Sequence, residues 1–411
     1  MTTYSPASSL GWLDFDAAAT ERVAILLRSL QEPATLDVLG LGSVRDAFSE
    51  MLHPGTSYIH TRLRYFMFLP WIFQRIERDR VAAGDFFRRL RHDEALLIDR
   101  LRHLGPGKGV IGYRAGRNLK RMPSDIYWGG LWDWGLRRLP LGLGEYAHRA
   151  AAMGSFAPVV DDDGKVTDRT GAMWAPLPDP PEGFLETDIA FELSREEAET
   201  LRDNVRHQQA GTLLAWLVAQ PNLAAQCDYP WEAPSHGMPA ELAEMVRHAR
   251  CFSELTAGPQ YVYNLLVARR AGRELGWDTT EVEEDQLGLI RHWVKMVESR
   301  HGELRSWADD LPAFWTLLYQ HKYRIRRSTR DFVSGIVRSA IDNPKGFADD
   351  PAAHAEIRRR ELQLKGKRAR LAYRSALENW SGAAGGGQFG YRWSIAKRYL
   401  DELESALAGD R

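Results

Sequence analysis

The sequence predicts a mainly α-helical fold with minor β. Apolar residues recur at helical spacing over most of the 411 residues. Cap and stop residues bracket those stretches, and strand chemistry is confined to two short intervals, 158–167 and 189–193. Taking the elements in order, Ser43 precedes Val44, Phe48, Met51 and Leu52 and has Asp46 three residues on, a helix start with a capping-box-like carboxylate; His53-Pro54-Gly55 ends it. Thr56 or Ser57 is expected to cap a second helix carrying Tyr58, Ile59, Leu63, Phe66, Phe68 and Leu69, with Pro70 as a kink or break. Helices follow over 85–104, and Pro123 and Ser124, as stop and cap, open another that closes near Gly135. Between 156 and 185 the chain turns to Asp161-Asp162-Asp163-Gly164 and then Pro176, Pro178, Pro180 and Pro181, which is linker chemistry. The expected boundary therefore separates an N-terminal helical domain, 1–155, from a C-terminal helical bundle, 186–411. Asp163-Gly164 is placed at the tip of a small hairpin, and Ile189 to Leu193 as a short strand leading into the capping box Ser194 to Glu197. Helical periodicity then covers 213–218, 242–252, 261–271, 282–307, 332–341, 354–380 and 393–407.

Composition narrows the function classes. A hydrophobic content of 44% supports ordinary cores. Residues 1–13 lack a basic start followed by an apolar run, and the longest apolar stretch, 65–73, contains Pro70 and falls well short of the roughly 20 residues that span a bilayer. A cytoplasmic protein without a membrane partner is expected. Cys227 and Cys251 are too few for a disulfide framework or a structural zinc site. His92-Asp93-Glu94, the set Glu186, Asp188 and Glu192, and the run Asp161 to Asp163 match neither H-E-x-x-H nor a nuclease carboxylate pattern, so they read as caps or solvated loops, and no metal, cofactor or catalytic residue is assigned. The glycines at 40–42 and 105–109 have the wrong spacing for nucleotide binding, and Gly385-Gly386-Gly387 reads as a hinge between helices.

A formal net charge of −1 conceals blocks of one sign. From 319 to 400 there are eighteen Lys and Arg against seven Asp and Glu, 60–150 is again basic, and 155–315 is acidic. Two basic surfaces flanking an acidic one point to a polyanion partner, DNA, and to a basic protein partner. Residues 101–138 read as a helix-turn-helix or winged-helix element in which Arg114, Arg117, Lys120 and Arg121 hold phosphates and Ser124, Asp125 and Tyr127 face bases. The competing reading is a helix whose Ile126, Tyr127, Trp128, Leu131 and Trp134 fill a core. Farther on, Arg324, Arg326, Arg327 and Arg330 surround Ser328 and Thr329 at a helix start, a phosphate-binding arrangement, and Lys365 and Arg368 extend the basic block.

Five stretches carry a resemblance: Leu10-Gly11-Trp12-Leu13-Asp14-Phe15; Leu39-Gly40-Leu41-Gly42-Ser43-Val44-Arg45-Asp46-Ala47-Phe48 running to Ser57; Thr61-Arg62-Leu63-Arg64-Tyr65-Phe66; Pro123-Ser124-Asp125-Ile126-Tyr127-Trp128; and Tyr391-Arg392-Trp393. With them the chain resembles, nearly end to end, a bacterial family classed as a domain of unknown function. The resemblance implies a place near helicase-like and phospholipase-D-like genes in phage-defence neighbourhoods, and it brings no catalytic residues. Arg62 and Arg64 read as architectural, with the alternative that one joins Thr56 in a phosphate cradle. The function expected is a non-catalytic, nucleic-acid-associated subunit of an anti-phage assembly that includes a protein such as a helicase. The alternatives are a nucleic-acid-processing enzyme, such as a nuclease, and a protein-only scaffold.

Overall fold

The computed structural model describes residues 37–153, 173–225, 227–383 and 385–409. They form α1 (Gly42–Leu52), α2 (Tyr65–Arg78), α3 (Ala83–Leu101), α4 (Pro123–Asp133), α5 (Leu143–Met153), α6 (Arg195–Gln208), α7 (Leu213–Leu217), α8 (Ala240–Leu275), α9 (Thr280–Ser299), α10 (His301–Asp309), α11 (Leu311–Gln320), α12 (Arg327–Asp342), α13 (Pro351–Lys365), α14 (Arg374–Leu377) and α15 (Trp393–Ala408). The protein is mainly α; among the described residues there is no strand, only an isolated bridge between Arg137 and Trp174. The strand expected over 189–193 is irregular because its backbone is used elsewhere: Ile189 donates to the Arg100 carbonyl and Ala190 accepts from Arg64. The hairpin at Asp163-Gly164, the carboxylates Asp161 to Asp163 and the stretch Leu10 to Phe15 lie outside the described residues.

Two compact units share the chain, which passes between them three times. One holds the described residues up to Met51 with Pro239–Tyr391, the other Leu52–Met238 with Arg392 onward. The described segments on either side of the Pro- and Asp-rich stretch, 143–153 and 186–238, belong to the same unit, as does its described part, 173–185.

The first unit is organised by α8, 36 residues long and buried over most of its circumference, with α9, α10, α12, α13 and α14 packed on it. A helix apolar on most sides belongs in a core. Two helices were expected here, 242–252 and 261–271; they are one helix that runs through Pro259. Near that proline the Trp293 indole donates to the Glu254 carbonyl at 2.8 Å, and its ring lies so close to Gly258 that a Cβ there would collide with it. The expected helix over 282–307 breaks at Arg300, which reaches Glu254 and Glu303. That over 354–380 stops at Lys365, where the buried Glu361 carboxylate accepts the backbone N–H groups of Arg370 (3.0 Å) and Leu371 (2.8 Å) and turns the chain. The glycines expected to form a hinge are fastened to α8 instead: Asn264 donates to Gly385 O and Gln260 to Gly387 O.

Arg360 joins three segments of this unit. Its guanidinium, 2% exposed, donates to Leu39 O (2.8 Å), Gly40 O (3.2 Å), Ser328 O (3.2 Å) and Thr329 Oγ1 (2.8 Å). Gly40 has φ +68°, and a Cβ there would lie 2.5 Å from the guanidinium, so this position takes glycine on both counts.

In the second unit α2 packs on α3, α4 and α5, and α15 on α6. Stacked and edge-on rings of Phe66, Tyr127, Trp134 and Tyr399 fill its centre. The helix expected from Thr56 or Ser57 begins only at Tyr65, because side chains hold 56–62 in turns: Arg392 donates to Thr56 O, Tyr127 Oη receives the Thr61 N–H, and the His60 ring stacks on Tyr127 at 4.1 Å. Burial pushes the His60 imidazole down to about 4, so it is neutral at pH 7.

The reader-helix expectation for α4 fails on its own residues. Ser124 donates its N–H (2.6 Å) and hydroxyl (3.1 Å) to the buried Glu94 carboxylate, Asp125 accepts the Met122 N–H, and Tyr127, Leu131 and Trp134 are fully buried. Its first turn is thus closed from inside by a carboxylate, and the helix is part of the core.

Burial, opposed by the Ser124 hydrogen bonds, raises the Glu94 carboxyl from 4.5 to about 8. The unfolded chain loses this proton near 4.5 and the folded one near 8, so stability contributed by the group is present below pH 4.5 and lost as pH rises to 8. Urea unfolding of wild type relative to Glu94→Gln should therefore lose up to about 1.4 kcal/mol per pH unit between pH 5 and 8. Parallel pH curves for the two proteins would exclude it.

Candidate nucleic-acid interface

The structure sorts the expected phosphate-binding cations into internal and external groups. Arg64 pairs bidentately with Glu197 at 2.7 and 2.9 Å and adds Ala190 O at 3.0 Å, with 11% of its side chain exposed. Arg62 pairs with Glu402 at 2.7 Å, its guanidinium 4.9 Å from the Phe191 ring. Neither forms a cradle with Thr56, which is itself buried and donates to His53 O. Lys365 lies against the Tyr263 hydroxyl (3.3 Å) and Glu361 (3.5 Å), and burial lowers its pKa. These three serve the interior.

The remaining candidates face solvent. In the second unit Arg114, Arg117, Lys120 and Arg121 lie on a turn-rich loop after α3. Arg91 fixes that loop by donating to the carbonyls of Arg117 and Leu119, and Thr61 donates to Gly109 O. Among the described residues Arg117 alone of these four makes an ion pair, with Asp99 at 4.0 Å.

In the first unit Arg324, Arg326, Arg327, Arg330 and Arg368 are exposed. Ser339 bonds Asp350, Gly335 adjoins Glu356, and Ser328 and Thr329 bond Arg360, so α12 and α13 run antiparallel. The start of α12 and the end of α13 therefore lie at one end of the pair, with Arg324 to Arg330 around the one and Lys367 and Arg368 just past the other. Among the described residues Arg324, Arg326, Arg330, Lys367 and Arg368 make no ion pair, and Arg327 has only Asp331, at 3.7 Å and largely solvated. Among the described residues the first turn of α12 has no side-chain capping bond from its N-cap residue, Arg326. Lys367, exposed beside Arg368, and Lys322, just before the arginines, were counted in the basic block but not singled out as phosphate contacts, and Tyr319 was assigned no role. Tyr319 was legible: α11 buries Leu311, Phe314 and Leu318, which leaves Tyr319 off the packed stripe.

Among the described residues no group of three or more His, Cys, Asp and Glu is placed to hold a metal, and no helix is long and apolar enough to cross a membrane. The two units thus define an α-helical protein with surface cation clusters. Residues 7–407 match a family described as a family of unknown function, DUF6361, and the chain belongs to it. No curated protein and no solved structure matches the chain.

Removing one partner of a buried ion pair leaves the other charge uncompensated, so Arg64→Ala should lower the unfolding free energy by about 3–5 kcal/mol. Arg117→Ala should change it by about 0.5 kcal/mol or less. Chemical denaturation of both variants checks the sorting; equal small effects would contradict it.

Proposed function

We propose that this protein is a non-catalytic, nucleic-acid-associated subunit, and that it holds DNA phosphates on the exposed cations where α12 begins and α13 ends. The observation that carries the reading is the set Arg324, Arg326, Arg330, Lys367 and Arg368, all exposed and none ion-paired among the described residues. Cations left free in this way release condensed counterions when they meet a phosphate backbone. The uncapped first turn of α12 adds backbone N–H groups that favour anions. The loop carrying Arg114, Arg117, Lys120 and Arg121 supplies a second basic surface on the other unit. The place of the chain in an anti-phage assembly, beside a partner such as a helicase, rests on the gene neighbourhoods that the family resemblance implies.

Replacing Arg324, Arg326, Arg327 and Arg330 together by Ala should weaken DNA binding irrespective of sequence. It should make the plot of log affinity against log salt shallower by about three to four units, roughly 0.7–0.9 for each of the four lost contacts. Titrations at several salt concentrations measure this; an unchanged slope would remove the surface from the interface.

A further inference from the structure

We propose that the segment joining α11 to α12 is a contact for single-stranded nucleic acid, with Tyr319 stacking on a base and the cations from Lys322 to Arg330 holding the neighbouring phosphates. The inference rests on the nucleic-acid reading of the same surface and adds the form of the ligand.

Three observations support it. Tyr319 is 67% exposed, the highest value among the exposed large apolar side chains of the described residues. The core of α11 is completed by Leu311, Phe314 and Leu318, so packing does not account for this ring. Its surroundings in sequence are uniformly basic: 319–330 contains Lys322, Arg324, Arg326, Arg327 and Arg330 and no Asp or Glu.

Exposure alternates along the irregular stretch that follows, with Tyr323 and Ile325 half-buried and Arg324 and Arg326 exposed. That alternation places the two arginines on one side of the chain. Their Cα atoms are at most about 7 Å apart, close to the separation of successive phosphates along a strand. A ring beside a cationic track is the arrangement that binds unpaired bases without regard to sequence. A duplex would use the arginines but keep its bases stacked out of reach of Tyr319.

The other exposed aromatics lack this combination. Trp132 has the Arg137 guanidinium 5.4 Å from its ring, Phe87 packs edge-on against Phe86, and the arginine next to Tyr373, Arg374, is engaged by Glu378 and the Glu274 carbonyl.

The experiment compares three ligands: a labelled single-stranded oligonucleotide, the duplex of the same length, and inorganic polyphosphate, which has the charge without bases. The full chain is tested as wild type, Tyr319→Ala, Tyr319→Phe and the quadruple arginine variant. Wild type should prefer the single strand. Tyr319→Ala should lose about 5- to 150-fold in affinity for it, the range of base stacking on an aromatic ring, while its binding to polyphosphate stays unchanged. Tyr319→Phe should retain most of the affinity, and the arginine variant should weaken binding to all three. Tyr319 is exposed, so melting curves should coincide. If Tyr319→Ala binds the single strand as wild type does, or wild type prefers the duplex, while the arginine variant weakens binding, the inference fails and the nucleic-acid reading stands. If wild type binds neither oligonucleotide, both fail.

Discussion

The first unit depends on a buried positive charge. Arg360 carries a guanidinium that is almost wholly inaccessible, donates to backbone carbonyls and a threonine hydroxyl, and lies 5.2 Å from the Phe332 ring. Burial lowers its pKa, and Asp37 opposes that shift. A planar fork of donors suits several carbonyls at once in a way that an ammonium does not. Because those acceptors belong to the Leu39-Gly40 segment and to the first turn of α12, the residue that closes the core also sets where α12 begins. It thereby fixes where the exposed arginines stand. Gly40 follows from the same contact, since its backbone conformation and the nearby guanidinium both disfavour a side chain.

The second unit uses paired charges for the same purpose. Glu197 completes the capping box with Ser194 and also receives Arg64, so one carboxylate ends the irregular segment before α6 and attaches it to the start of α2. Glu94, which burial keeps largely protonated at neutral pH, closes the first turn of α4 by hydrogen bonds to Ser124 and makes no ion pair among the described residues. In both units cations such as Arg64 and Arg360 serve the interior, whereas Arg114, Arg117, Lys120 and Arg121 in one and Arg324, Arg326, Arg327 and Arg330 in the other are exposed to solvent. Net charge near zero is therefore compatible with a strongly basic local surface.

Much of the helical framework was legible in the sequence. Periodicity located α1, α7 and α15, and the Ser194 capping box is formed as read. What failed was local inference about residues whose partners are distant. Pro123 and Ser124 do open a helix, but its partner Glu94 lies 30 residues earlier, and high aromatic content was the correct sign that the helix is internal. Arg62 and Arg64 read as architectural with a phosphate cradle as the alternative; their carboxylate partners, 340 and 133 residues away, could not be named from sequence. The break at Arg300 and the continuity through Pro259 likewise involve tertiary contacts, to Glu254 and from Trp293, while the stop at Lys365 depends on Glu361 accepting backbone N–H groups nine and ten residues on. That the start of α12 and the end of α13 lie at the same end of the pair follows from their antiparallel packing, which no local pattern specifies.

The division of cations into interior and solvent-facing groups, and the proposed role of the latter, is tested most directly by amide hydrogen exchange of the full chain with and without a saturating single-stranded oligonucleotide. Peptides covering 319–330 and 366–370 should exchange more slowly with nucleic acid bound, while the peptide containing Arg64 and Tyr65 should be unaffected. Protection at Arg64 with no change at 319–330 or 366–370 would contradict the assignment of the surface.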